Sequence, residues 1–217
     1  SEEENHYIIK RDEVWELATP KNIASFDYQD NDAEGLFFLT NFEAPNYRLV
    51  KILFTGEVVE IIPETNLALK SVSILDDFII TNSINTDMNS MVEFYSKDGE
   101  LLDYKIPDDI EGTLSSFSMY KDKLRFSASN FINPTRYIDL DLNTLDYTIV
   151  WQDKVSNFNP ADYEKTFTYY ESKDGTMVPL TYFHRKDLEI DSETPVFLYG
   201  YGAVSYTHLT LPTMDSV

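Results

Sequence analysis

The chain has 217 residues, of which 42% are hydrophobic and 14% aromatic, so it carries enough apolar side chains to build a folded core. Its 38 acidic and 17 basic residues give a net charge of −21, which excludes nucleic acid and anionic membranes as expected partners because phosphate groups are bound by clustered lysine and arginine. There is no cysteine, which excludes disulfides and thiolate metal sites, and no run of roughly 18 apolar residues predicts a membrane helix.

Three stretches of the chain repeat one plan, in which two predicted β-strands are joined by a loop. The predicted pairs are 36–41 with 47–52, 78–82 with 91–95, and 124–130 with 135–139. The Thr/Ser-Asn pairs at 40–41, 81–82 and 129–130 are 41 and 48 residues apart. A repeat of roughly 40–50 residues that contains only strands is typical of the blades of a β-propeller.

Each predicted pair is followed by a further strand, at 58–62, 101–106 and 147–151. Strands are also predicted before the second and third pairs, at 71–75 and 113–119, whereas 23–28 cannot be assigned. Lys97-Asp98-Gly99 is a hairpin turn signal. The pattern therefore predicts about three blades of four strands each. Because a propeller has at least four blades, we expect part of the ring to lie before Ser1.

The repeat stops near Pro160, and the following residues predict a different domain. Two strands, 165–170 and 177–184, are joined by a second Asp-Gly turn at Asp174-Gly175. A polar loop and a predicted apolar strand at 195–199 follow, and this strand leads into Gly200-Tyr201-Gly202. The order resembles the opening of an α/β-hydrolase sheet.

Four segments, taken in this order, resemble the prolyl oligopeptidase family of post-proline serine peptidases. They are Thr40–Leu49, Ser129–Pro134, Tyr170–Pro179 and Leu198–Gly202. In that family a seven-bladed propeller covers an α/β-hydrolase domain and restricts entry to short peptides. The resemblance implies a mostly β fold, with a partial propeller of about three blades over residues 1–155 and the N-terminal part of the catalytic domain over 156–203.

The resemblance also assigns one catalytic residue to this chain. Tyr201 corresponds to a family tyrosine whose hydroxyl belongs to the oxyanion hole, and such a donor is worth roughly 3–4 kcal/mol of barrier. Ala203 and Val204 stand where the family has Gly and a pocket-lining Phe. No Gly-x-Ser-x-Gly elbow occurs in the chain. Because the family's Ser, Asp and His all follow the tyrosine motif, we expect this fragment to lack the nucleophile, the acid and the base.

Other polar residues give no catalytic or metal site by sequence alone. His6, His184 and His208 are scattered, with no acid or serine placed to indicate a proton relay. The acidic stretch Asp30-x-Asp32-x-Glu34 resembles the start of a calcium loop, but Asn41 stands where that loop needs Glu. We interpret the stretch as a solvated blade loop, and we expect no metal and no cofactor.

The final residues depart from the family. Residues 204–213 resemble a translated frame of a sequencing adapter, so we interpret 204–217 as a non-native tail in which Ser205 and His208 have no role. The alternative is a divergent natural loop.

These observations lead to two functional hypotheses. The first is a fragment of a serine endopeptidase of the prolyl oligopeptidase type, whose parent hydrolyses short proline-containing peptides after proline while the fragment is inactive. For the parent we expect a monomer in the cytoplasm, with the periplasm as an alternative because the start of the chain is missing. The second hypothesis is a non-catalytic β-propeller interaction module.

Overall fold

The computed structural model describes residues 8–11, 14–19, 24–85 and 89–198. Their regular structure is almost entirely β, with one short 3-10 turn at Pro160–Asp162. The chain divides into two compact units, residues 1–186 and 187–217. The strands are β1 (Ile8–Arg11), β2 (Val14–Leu17), β3 (Phe26–Asn31), β4 (Gly35–Thr40), β5 (Arg48–Leu53), β6 (Val58–Ile62), β7 (Leu69–Ile74), β8 (Ile79–Ile84), β9 (Ser90–Tyr95), β10 (Leu101–Leu102), β11 (Thr113–Tyr120), β12 (Lys123–Ser129), β13 (Arg136–Leu140), β14 (Tyr147–Gln152), β15 (Tyr163–Glu171) and β16 (Met177–Arg185).

Three four-stranded antiparallel sheets confirm the predicted blade plan. Their strands lie in sequence order: β3 to β6 form blade A, β7 to β10 form blade B, and β11 to β14 form blade C. Two hairpins flank them, β1 with β2 and β15 with β16. The β15–β16 hairpin agrees with the predicted strands, whereas the β1–β2 hairpin was not predicted.

The blade repeat is more regular in the structure than in the sequence. The second strands begin at Gly35, Ile79 and Lys123, which are 44 residues apart each time. The Thr81-Asn82 pair lies inside β8, whereas Thr40 and Ser129 are the last residues of β4 and β12. The 44-residue repeat lies within the predicted range of roughly 40–50 residues, but the three Thr/Ser-Asn pairs do not occupy equivalent positions in their strands.

Each second strand is buried on both faces because it lies in the middle of its blade, which is why these segments appear as continuous apolar runs. In β4 the ring of Phe37 belongs to the core between blades A and B, and its neighbour Phe38 lies on the opposite face of blade A. The outer strand β14 is mostly exposed. Burial thus falls from the middle strands toward the outer edge.

Apolar side chains from adjacent blades interlock to form the cores. The core between A and B contains Phe37, Leu49, Ile61, Ile62 and Ile79. The larger core between B and C contains Phe78, Ile80, Phe94, Ile110, Leu114, Phe117, Leu124, Phe126, Ala128, Ile138 and Leu140. Full burial of such side chains contributes about 1.5–3 kcal/mol each, so these two cores hold the three blades together.

Three hairpins have the same type of turn, and this type differs from the two-residue turn that is typical of an Asp-Gly sequence. In 53–57, 96–100 and 172–176 the first residue donates its N–H to the carbonyl of the fifth, and the fourth residue is glycine. Gly56, Gly99 and Gly175 have φ of 96°, 87° and 84°, so each lies in the left-handed region that favours glycine. These are three-residue loops in which the glycine follows a simple turn.

Two segments differ from the sequence analysis. The segment 23–28, which could not be assigned, contains the start of β3, and this strand runs on to Asn31 through a bulge between Tyr28 and Asp30. The strand predicted at 101–106 pairs only at Leu101 and Leu102, because the chain then leaves the sheet edge and Ile106 packs on the core between B and C.

The described part of the second unit, residues 187–198, contains no strand. The apolar strand predicted at 195–199 is not formed at 195–198, where Val196, Phe197 and Leu198 are at least 80% exposed. A strand needs a neighbour for its backbone hydrogen bonds, and no strand in the described part of the chain pairs with this segment. Within the described ranges the structure shows the β15–β16 hairpin but not the parallel sheet of an α/β-hydrolase, and no helix there is long and apolar enough to cross a membrane.

Candidate functional site

A cavity of about 670 Å³ opens beside blade C, at its junction with the β15–β16 hairpin. Four separate parts of the first unit form its wall: the connection before β11, the β12–β13 loop, the linker before β15 and the two ends of the hairpin. The lining residues are Glu111, Asn130, Ile132, Asn133, Asn159, Pro160, Ala161, Tyr163, Glu164, Lys165 and Lys186.

The β12–β13 loop is held by a single side chain, that of Asn130. Its Oδ1 accepts hydrogen bonds from the N–H groups of Ile132 and Asn133 at 3.0 and 2.6 Å, and from Nδ2 of Asn133 at 3.3 Å. The main-chain N–H of Asn130 also donates to the carbonyl of Asn133 at 3.1 Å. Asn130 thereby closes a tight turn and presents two amide side chains, its own and that of Asn133, at the cavity wall.

Gly112 positions the neighbouring wall residue, Glu111. Gly112 has φ of +111°, and a Cβ there would clash with the main-chain oxygen of Ser129 and lie 3.0 Å from Cβ of Asn130. Only a glycine allows the connection to approach β12 so closely. This close approach places Glu111 beside the Asn130 turn.

The linker is clamped to the end of the hairpin by Lys186. The main-chain N–H of Lys186 donates to the carbonyl of Asp162 at 2.9 Å, and its Nζ donates to the carbonyl of Ala161 at 2.8 Å. Asn159 caps the 3-10 turn, since its Oδ1 accepts from the N–H of Ala161 at 3.3 Å. These bonds fix the floor of the cavity.

Two ring pairs complete the junction. Phe131 of the β12–β13 loop lies with its ring centroid 4.9 Å from that of Phe183 in β16, and Phe158 stacks on Tyr163 at 4.9 Å. The first pair joins blade C directly to the hairpin.

The predicted oxyanion donor, Tyr201, lies outside the described residues, as do His6, His208, Ala203 and residues 204–217. His184 is described, and its partners were not predicted. Its Nε2 lies 3.3 Å from Oε1 of Glu164, directly across the hairpin, and its Nδ1 lies 2.9 Å from the carbonyl of Arg185. A carbonyl and a carboxylate can each only accept, so the two contacts are both hydrogen bonds only when both ring nitrogens carry a hydrogen.

The acidic stretch at 30–34 binds a lysine. Nζ of Lys51 lies 2.7 Å from a carboxylate oxygen of Asp32 and 2.7 Å from one of Glu34. Burial raises the pKa of Asp32, but the hydrogen bonds from Lys51 and from the N–H groups of Glu34 and Gly35 outweigh it and lower the pKa below its ordinary value. Across the described ranges, no group of three or more His, Asp or Glu residues could hold a metal ion.

Comparison with known proteins identifies the three blades. Residues 1–153 match the family described as prolyl oligopeptidase, N-terminal beta-propeller domain. A prolyl endopeptidase of Dictyostelium discoideum is 30% identical over 85% of this chain and 26% of its own length. A prolyl endopeptidase of Elizabethkingia meningoseptica is 31% identical over 80% of this chain and 25% of its own length. The chain thus spans about a quarter of the length of these relatives.

Solved structures share the fold. Prolyl oligopeptidase B from Galerina marginata, bound to a 35mer hydrolysis and macrocyclization substrate, superimposes with a TM-score of 0.70 at 24% identity, over 81% of this chain and 26% of that one. A prolyl endopeptidase analysed for inter-domain dynamics gives a TM-score of 0.71 at 24% identity, over 86% of this chain and 28% of that one. With the family match covering all three described blades, the chain belongs to the prolyl oligopeptidase family.

Proposed function

We propose that the chain is part of a serine peptidase that hydrolyses short peptides on the carboxyl side of proline. The observation that carries this proposal is the match to the family's propeller over residues 1–153, together with three four-stranded blades at a 44-residue repeat. The named relatives are prolyl endopeptidases, and one solved relative was captured with a peptide substrate. These names support a peptide as the substrate class.

Within this proposal each part of the chain has a role. The blades form part of a propeller that limits entry to short peptides, and the hairpin begins the catalytic domain. Tyr201 donates its hydroxyl hydrogen bond to the oxyanion that forms when a serine attacks the scissile carbonyl. The serine, the histidine base and the orienting aspartate belong to the whole protein and not to these 217 residues, so the chain alone is inactive.

A chromogenic prolyl peptide tests both halves of this proposal. We expect turnover by the whole protein and none by the 217-residue chain. In the whole protein, Tyr201→Phe removes one oxyanion donor and lowers kcat about 10²- to 10³-fold with little change in KM. Turnover by the 217-residue chain, or a Tyr201→Phe enzyme of normal kcat, would contradict the assignment. We also propose that the whole protein is a cytoplasmic monomer, with the periplasm as the alternative compartment, and light scattering tests the oligomeric state.

The second candidate is a non-catalytic propeller module, since the matched family model describes the propeller domain alone and propellers serve as binding platforms on many scaffolds. The coding sequence downstream of Ala203 separates the two. A Gly-x-Ser-x-Gly elbow followed by Asp and His supports the peptidase, whereas an unrelated domain supports the module.

A further inference from the structure

We propose that the cavity beside blade C binds a short zwitterionic peptide of three or four residues, with its N-terminal ammonium at Glu111 and its C-terminal carboxylate at Lys186. This inference deepens the proposed function and takes from it only the choice of a peptide over other zwitterions.

The first argument for a zwitterionic ligand is a pair of opposite charges in the cavity wall. Nζ of Lys186 donates to the carbonyl of Ala161, and an ammonium has three hydrogens, so two donors remain for a ligand. Among the described residues, Lys186 forms no ion pair with a carboxylate, and Glu111 forms none with a cation. In a chain of net charge −21, a cation without a carboxylate partner is a natural site for an anionic group.

The other charged groups of the wall are already engaged. Glu164 lies 3.3 Å from His184, and Lys165 has an interaction of its own. Glu111 and Lys186 line the same cavity without pairing with each other, so the cavity offers one anion and one cation to a ligand. A zwitterion matches this arrangement without leaving either charge unpaired.

The second argument concerns the peptide unit of the ligand and comes from the amide side chains of the β12–β13 loop. The Asn130 turn uses Oδ1 of Asn130 and Nδ2 of Asn133, and among the described residues Nδ2 of Asn130 and Oδ1 of Asn133 have no partner. These are one donor and one acceptor on adjacent side chains. A peptide unit presents one carbonyl and one N–H, which is the complementary pair. This match supports the choice of a peptide over a zwitterion that has no amide.

The volume and the apolar lining of the cavity suit a short peptide. A cavity of about 670 Å³ is of the size that binds small ligands, and an extended tripeptide or tetrapeptide is about 10–14 Å long. Ile132, Pro160 and the ring of Tyr163 supply an apolar wall for its side chains.

The test is an NMR titration of the isotope-labelled 217-residue chain with trialanine, compared with N-acetyl-trialanine, trialanine amide and free alanine. We expect millimolar binding of trialanine, with shifts confined to amides of the cavity wall at 111, 130–133, 159, 161–165 and 186. Acetylation or amidation each removes one charge and weakens binding about three- to tenfold, and free alanine, which has no peptide unit, binds at least tenfold more weakly.

Three variants separate the contacts. Glu111→Gln should weaken trialanine but not its acetylated form, and Lys186→Gln should weaken trialanine but not its amide. Asn130→Asp keeps the turn acceptor, removes the donor and should weaken every form. Glu57→Gln and Lys173→Gln are matched controls, since both side chains are exposed and lie outside the cavity.

The comparisons between peptide forms are made within each variant, so they hold even where a variant changes stability. The proposal is overturned by an absence of shifts at the cavity up to about 50 mM peptide, by shifts at other surfaces, by equal binding of trialanine and its acetylated form, or by equal binding of alanine. The NMR titration measures binding and does not depend on hydrolysis of the peptide. A failure here leaves post-proline hydrolysis by the whole protein untouched, and a failure of hydrolysis leaves this binding untouched.

Discussion

Asn82 of blade B donates a hydrogen bond from Nδ2 to the main-chain oxygen of Leu114 in blade C over 2.7 Å. Ser90 of blade B accepts the main-chain N–H of Leu114 at its Oγ over 2.9 Å. Because β11 is an edge strand of blade C, both polar groups of Leu114 lack a strand partner on that side, and two side chains of the neighbouring blade take that place. Apolar packing is not directional, so these bonds, together with the bond from the main-chain N–H of Ser90 to the carbonyl of Gly112 at 2.9 Å, restrict sliding of blade B against blade C.

Replacing Asn82 by leucine should lower the free energy of unfolding by about 1 kcal/mol. The change leaves the buried oxygen of Leu114 unpaired, which costs about 1–3 kcal/mol. We expect a loss at the lower end of this range. Oδ1 of Asn82 is buried and forms no hydrogen bond among the described residues, and leucine lacks this oxygen, so the variant no longer carries the cost of burying it. Urea unfolding measures the change, and Asn66→Leu at an exposed position is the control. Stability equal to or above wild type would refute the role of this bond.

The ion pair of Arg125 and Asp139 in blade C predicts a loss of stability in acid. Nε and a terminal nitrogen of Arg125 lie 2.6 and 2.7 Å from the two carboxylate oxygens of Asp139. The hydrogen bond from Arg125 holds the pKa of Asp139 below its ordinary value of 3.8, against the opposing effect of burial. A lowered folded-state pKa means that the contribution is fully present above the ordinary value and is lost as the pH falls through the folded-state pKa.

Asp139→Asn should therefore cost about 2 kcal/mol at pH 7, and the difference from wild type should shrink as the pH falls from 4 toward 2. Urea unfolding at pH 7, 5, 3 and 2 measures it. Asp76→Asn, at an exposed turn, is the control and should show neither effect. A difference between Asp139→Asn and wild type that stays constant down to pH 2 would show that the carboxylate charge contributes nothing.

Gly112→Ala should destabilise the chain more than Gly175→Ala. Both glycines have positive φ, at +111° and +84°, so both variants carry backbone strain of roughly 1 kcal/mol. At Gly175 the nearest atom to a new Cβ is 3.8 Å away, whereas at Gly112 the Cβ clashes with the main-chain oxygen of Ser129. We expect about 1 kcal/mol at Gly175 and about 3 kcal/mol at Gly112 by thermal unfolding. Equal losses of stability in the two variants would show that β12 moves away from the new Cβ at position 112 without a cost in free energy.

The blades were predictable from sequence because their middle strands are buried on both faces. Such strands produce continuous apolar runs, as in 36–40, whose pattern depends only on local residues. The β1–β2 hairpin and the bulge in β3 were missed because neither gives a clean alternation. Inter-blade contacts such as Asn82 with Leu114 join residues 32 positions apart and leave no periodic signal.

The cavity was not predictable for a related reason. Glu111, Asn130, Pro160 and Lys186 come from four connections that only the fold brings together. The one available signal was the Ser-Asn-Phe-Ile-Asn-Pro segment at 129–134, which the sequence marked as a family motif without giving its function. The pairing of Lys51 with Asp32 and Glu34 was equally hidden, since it joins a residue of β5 to the β3–β4 turn, which only the fold brings together.

Phe131→Ala should loosen the β15–β16 hairpin. Phe131 is 74% exposed, yet its ring lies 4.9 Å from that of Phe183, so its main packing partner is the hairpin. A two-stranded hairpin is marginally stable by itself, and loss of this ring contact removes about 0.5–1.5 kcal/mol of support from blade C. Amide hydrogen exchange should therefore become roughly two- to tenfold faster in β15 and β16 while the amides of β8 and β12 remain protected.

A double-mutant cycle with Phe183→Ala isolates the ring pair from the loss of apolar surface. Phe54→Ala is the matched control, since Phe54 is also an exposed phenylalanine but lies at the end of β5 in blade A. If the two substitutions at 131 and 183 are additive, the rings do not interact, and this ring pair does not hold the hairpin to blade C. A coupling of about 1 kcal/mol, with exchange in the Phe54→Ala variant unchanged at β15 and β16, would establish Phe131 as the contact that anchors the hairpin to the propeller.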